Sequence, residues 1–128
     1  MKKITAGLLA LFLFSCSSPK SLKEKISGKW YMSKVYEMGD DVTTRHNPQN
    51  KRWIQFNVNG TFESGGEPAG YNTGKWSIDL NNNILFLDSD AGEDDDSYWI
   101  LKFEDNVMKW QGTKFEFNKR FKIEHEKR

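Results

Sequence analysis

The sequence has one cysteine, three prolines and two histidines, and its charges nearly cancel. With Cys16 as the sole thiol, no intrachain disulfide can form, so any core must hold by packing alone. His46 and His125 lack the spacing of a metal site, and each is expected at the surface. One cysteine and two distant histidines supply no Cys-His pair, and no Ser-His-Asp arrangement stands out. The reading is therefore non-enzymatic, with no cofactor. A formal net charge of +1 offers no basic surface for nucleic acid. A single long apolar run exists, the eleven residues Ile4–Phe14. As a helix it would reach roughly 16 Å, about half of a ~30 Å hydrocarbon core. Behind Met1-Lys2-Lys3 it reads as an export signal over residues 1–15, not a membrane span.

What is present is alternation. Ile54, Phe56 and Val58 alternate with polar neighbours, Asn59-Gly60 turns the chain, and Thr61-Phe62 starts it back. An Asn-Gly pair between alternating segments predicts a type I′ hairpin, whose two central residues need φ > 0. The same rhythm predicts eight strands, near 29–37, 52–58, 61–64, 73–80, 84–88, 97–104, from 107, and from 121. Ser21-Leu22-Lys23-Glu24 fits a capping box opening a short helical turn, with Leu22 and Ile26 on one face. Short connections alternate with long ones, so in an up-and-down meander the tight turns gather at one end and the long loops at the other. Eight such strands can close into an all-β antiparallel barrel, which leaves no exposed edge. Leu22 and Ile26 would plug the tight-turn end, and the long-loop end would be the mouth.

Two resemblances sharpen this. Leu13-Phe14-Ser15-Cys16 resembles the lipobox of bacterial lipoproteins, which implies a diacylglyceryl thioether on Cys16 and an acylated amine. Residues 16–25 would then be lipidated cysteine, tether and helical turn, and 26–128 the barrel. Removal of Lys2 and Lys3 with the signal would leave 17 basic residues against 18 acidic. Several acyl chains at ~0.8 kcal/mol per buried CH₂ would anchor the protein permanently to a membrane. Ser17-Ser18 lacks the Asp that retains some lipoproteins at the inner membrane, so the expected place is the outer membrane, facing the periplasm. Second, Gly28-Lys29-Trp30 resembles the lipocalin Gly-x-Trp motif. Phe56–Phe62 followed by Gly74-Lys75-Trp76-Ser77-Ile78 is similar to the lipocalin-like domains of small bacterial lipoproteins. The resemblance runs from about Ile26 to Glu126. It implies an eight-stranded lipocalin-like barrel with Trp30 across the closed end and an Arg near the last strand stacked on it, Arg128 being the candidate since Arg120 lies at the wrong end of that strand.

Two functions compete. In one, the barrel binds a small hydrophobic or amphiphilic ligand through Met32, Lys34, Tyr36, Ile54, Phe56, Phe62, Trp76 and Ile78. Strict alternation along the first strand puts Trp30, Met32, Lys34 and Tyr36 on one face. There Lys34 either meets an anionic head group or turns to solvent on its snorkelling stem. In the other, the barrel is filled by its own side chains and is a protein-interaction module. It would use the mouth loops, or the fifth and sixth strands, where Ile84–Leu87 and Tyr98–Leu101 are apolar on both faces. The simpler account of those strands is cover by the helical turn or a loop. Six carboxylates between Asp88 and Asp96 read as a solvated loop, since they miss the EF-hand spacing.

Overall fold

A computed structural model of the chain describes residues 21–113 and 116–128. The proposed leader and Cys16 lie outside the described residues. Helix α1 (Leu22–Ile26) leads into β1 (Gly28–Glu37), then β2 (Asp40–Asp41), α2 (Thr43–His46) and β3 (Trp53–Phe56). The chain continues as β4 (Thr61–Gly65), β5 (Asn72–Asp79), β6 (Ile84–Ser89) and β7 (Ser97–Glu104). It ends with β8 (Val107–Gly112), α3 (Glu116–Lys119) and β9 (Phe121–Glu126). All neighbours pair antiparallel, and β9 returns to β1, closing an eight-stranded barrel with β2 appended to β1. The all-β up-and-down barrel expected from the sequence is the fold.

The closed end forms as the pattern predicts. Ser21 caps α1, its Oγ accepting from the Glu24 amide at 3.2 Å, and Leu22 and Ile26 pack into the core. Trp30 is buried, and its Nε1 donates to the Ile26 carbonyl at 2.7 Å, which ties the helical turn to β1. The cation stacked on Trp30 is Lys127, 4.8 Å from the ring centroid, and not Arg128. Arg128 stacks on Tyr31 at 4.4 Å and donates to the Asn50 side chain.

Three local expectations are corrected. Of Asn59-Gly60 only Gly60 has positive φ (91°), and the Gly60 amide bonds the Asn57 carbonyl. The turn is thus a type I turn followed by a left-handed glycine, which leaves Val58 87% exposed at the tip. Both φ values are positive instead at Met38-Gly39, the two-residue link from β1 to β2. Second, α3 lies between the seventh and eighth predicted strands, where no helix was expected. It lies so close to β8 that a Cβ on Gly112 would meet the Asn118 carbonyl, so this position needs glycine. Third, β1 does not alternate throughout. Its pairing with β9 shifts register between Met32 and Lys34, a bulge at Ser33 whose Oγ donates to the Glu124 carbonyl. Trp30 and Met32 point inward before the bulge and Val35 after it.

Candidate functional site

That bulge decides where charge lies. Lys34 is exposed and reaches Asp41 at 3.7 Å on the outside. Tyr36 follows it outward, into a groove with Lys102, Lys109 and Lys122. Neither belongs to the interior, because one extra residue in a strand turns every following side chain over. Phe56, Trp76 and Ile78 do not border a cavity inside the barrel either. Phe56 and Trp76 are buried and meet edge to face at 5.5 Å, and Trp76 Nε1 donates to the Asn57 carbonyl at 2.9 Å. Ile78 packs against this cluster from its edge. The closed half of the barrel is solid with aromatic side chains.

The mouth half is not. Met32, Ile54 and Phe62 line a chamber of about 200 Å³, together with Leu87, Trp99, Trp110, Ile123 and His125. Trp99 and Trp110 lie 5.3 Å apart along its wall. A second cavity of about 250 Å³ adjoins it, sharing Met32, Arg52, Trp99 and Ile123 and adding Asn118 from α3. Gly74 lets Phe62 lie close to β5: a Cβ there would strike the Phe62 ring and the Asp88 carbonyl.

Two residues that sequence reasoning passed over define the polarity here. Arg52 precedes β3 and shares inward parity with Ile54 and Phe56, which is the signal that could have found it. Its backbone is clamped from both sides. The Arg52 carbonyl accepts from the Met32 amide at 3.0 Å, and its own amide donates to Asn47 Oδ1 at 3.1 Å. Buried Asn47 completes the clamp by donating from Nδ2 to the Met32 carbonyl at 2.8 Å, next to the bulge. The guanidinium is half-buried, and one N–H donates to the His46 carbonyl at 3.2 Å. Burial lowers its pKa from the ordinary value, yet a guanidinium stays charged.

His125 is the second. It is not at the surface but 2% exposed, its ring 4.2 Å from that of Trp110. Burial pushes its pKa down to about 3; a bond to the Met108 carbonyl opposes this and the charge on Arg52 adds to it. Parity with Phe121 and Ile123 foretold the inward direction. His46 is half-buried, packed edge-on to Phe121 at 5.5 Å. Three buried polar atoms make no hydrogen bond within the described chain: Trp110 Nε1, Asn118 Nδ2 and His125 Nδ1.

The remaining candidates sort quickly. Trp53 lies under Lys29, whose Nζ is 4.3 Å from its ring, and packs on the outer side. Two carboxylates of the acidic stretch are bonded locally: Asp90 accepts from Thr73 Oγ1 and Asp96 from the Ser89 amide. Among the described residues no group of three or more His, Cys, Asp or Glu could hold a metal ion. On the outer face of β6 and β7, Phe86 stacks on Tyr98 at 4.5 Å and Ile100 is 41% exposed. Helix α1 does not cover these strands, since its apolar side is spent on the closed end.

Residues 26–110 match the family profile described as a lipocalin-like domain. A solved structure of a DUF4847 family protein from Bacteroides vulgatus ATCC 8482 superposes with a TM-score of 0.60 at 15% identity, covering 83% of this chain and 96% of that one. At that identity the likeness speaks to fold alone. No curated relative matches the sequence.

Proposed function

We propose, from the premise that the chain belongs to the lipocalin-like domain family, that it is a lipid-anchored envelope protein whose barrel mouth binds a small ligand. One observation carries the binding half of this reading: the barrel is packed with aromatic side chains at its closed end and leaves an open chamber of about 200 Å³ at its long-loop end. Pockets for drug-sized ligands run to ~300 Å³ and more, whereas ~150 Å³ already admits a benzene-sized ring. The chamber therefore suits a compact guest and not an extended acyl chain.

The anchoring half rests on the lipobox-like Leu13–Cys16. Cys16→Ser should abolish incorporation of labelled fatty acid, since only the thiolate accepts the diacylglyceryl group. Label surviving the substitution would end the lipoprotein reading and, with it, an outer-membrane location. For the chamber, saturable binding of benzyl alcohol by ligand-observed NMR is expected, and its absence would count against a ligand site.

A second reading is favoured by the Phe86–Tyr98 stack and by Ile100 on the outer face. In it, β6 and β7 dock an envelope protein. Ile100→Lys should then weaken association with that partner while leaving benzyl alcohol binding unchanged.

A further inference from the structure

The interior charge that the sequence suggested exists, but it is Arg52 and not Lys34. A half-buried guanidinium is costly unless something pairs with it. Within the described chain it has little. Of five N–H donors, one is spent on the His46 carbonyl. Among the described side chains no carboxylate lies within ion-pairing distance of it. Asp95 belongs to the chamber lining but is exposed at the rim.

Two of the three orphaned polar groups nearby have the same bias, the third being His125 Nδ1. Trp110 Nε1, on the chamber, and Asn118 Nδ2, on the adjoining cavity, are buried donors that bond no acceptor in the described chain. Arg52 borders both cavities and lies between them. The lining also carries the neutral polar side chains of Ser64, Asn72 and Ser97, and its apolar part is Met32, Ile54, Phe62, Leu87, Trp99 and Ile123. Such a site repels organic cations through Arg52. It also offers a phosphate dianion too few charges to replace its water.

We infer that the mouth selects a compact organic carboxylate, about the size of one ring or a short branched chain, whose anionic head takes the free N–H groups of Arg52. A carboxylate matches the fork of a guanidinium bidentately, and its apolar remainder fills the chamber against Trp99 and Ile54. Asn47 is the positioning residue, because it holds the Arg52 backbone from the side opposite Met32. This inference rests on the ligand-binding reading above.

The test uses the full chain, held in nanodiscs where it fractionates with membrane, titrated calorimetrically with benzoate, benzyl alcohol and inorganic phosphate. Benzoate should bind at least about tenfold more tightly than benzyl alcohol, the loss expected when one charge-assisted pair is missing. Phosphate should not bind measurably. Arg52→Gln should remove the benzoate advantage and leave benzyl alcohol where it was. Equal binding of benzoate and benzyl alcohol by wild type would overturn the carboxylate inference while leaving the chamber as a site for neutral guests. Phosphate binding more tightly than benzoate would overturn it in favour of an inorganic anion. Failure of both ring probes would overturn it together with the ligand-binding reading. Should Arg52→Gln not fold, the wild-type ratio of benzoate to benzyl alcohol decides alone.

Discussion

At neutral pH His125 is an uncharged imidazole sealed in the barrel, and this makes it an acid-sensitive point. Its folded pKa of about 3 lies below the ordinary value of 6.5, chiefly because burial penalises the charged ring. Between those values the unfolded chain binds the extra proton and the folded chain does not. Stability from this residue is therefore complete above about pH 6.5 and is lost progressively as pH falls towards 3, at up to about 1.4 kcal/mol per unit. Urea melts from pH 7 to pH 4 should show that slope in wild type. His125→Gln, which does not titrate, should flatten it; an unchanged slope would assign the acid sensitivity to carboxylates. Lys34 illustrates the opposite case. Its pair with Asp41 is solvent-exposed at both ends, and such pairs contribute little.

Among the elements, α1 and the start of β1 behave as one unit. Ile26 is fully buried, Trp30 donates to its carbonyl, and Phe103 packs on Trp30 at 6.1 Å. Lys127 stacks its ammonium on the indole and donates to the Ser27 carbonyl at 2.8 Å. Trp30→Ala should cost about 3–5 kcal/mol, as for other buried Trp truncations, because neighbouring strands hold the hole open. Urea melts would measure it, and a loss under about 1 kcal/mol would mean the plug is not part of the cooperative core. At the other end of β1, the bulge at Ser33 and the clamp of Asn47 replace the ladder that β3 no longer provides beyond Tyr31. There the barrel wall opens into the mouth, and Arg52 sits at that gap.

As a whole molecule the barrel is half core and half container. The solid half carries stability through Phe56, Trp76 and Leu85, and the hollow half gives up packing to keep room beside Trp99 and Trp110. Filling that room should therefore separate the two roles. Ile54→Trp is expected to abolish benzyl alcohol binding while holding or raising the melting temperature, since cavity filling commonly adds about 0.5–2 kcal/mol. A fall in melting temperature with binding retained would show that the chamber is elsewhere or already full.

Strand number, order and the two ends of the barrel were legible along the chain, because alternation and turn residues are local properties and a meander needs little else. Gly28-Lys29-Trp30 and the capping box at Ser21 likewise announced the closed end. The direction of Lys34 and Tyr36 was not legible. A bulge at Ser33 depends on how β1 is shared between β3 and β9, which are far from it in sequence. His125 was assigned to the surface by residue type although its parity with Phe121 and Ile123 pointed inward, and polar chemistry outweighed a geometric signal. Arg52 drew no reading, although it shares parity with Ile54 and Phe56. Sequence by itself determined that a barrel forms and which end is plugged. The tertiary structure alone decided which charge enters the mouth and how much space remains, because both follow from strand register and from side chains meeting across the barrel.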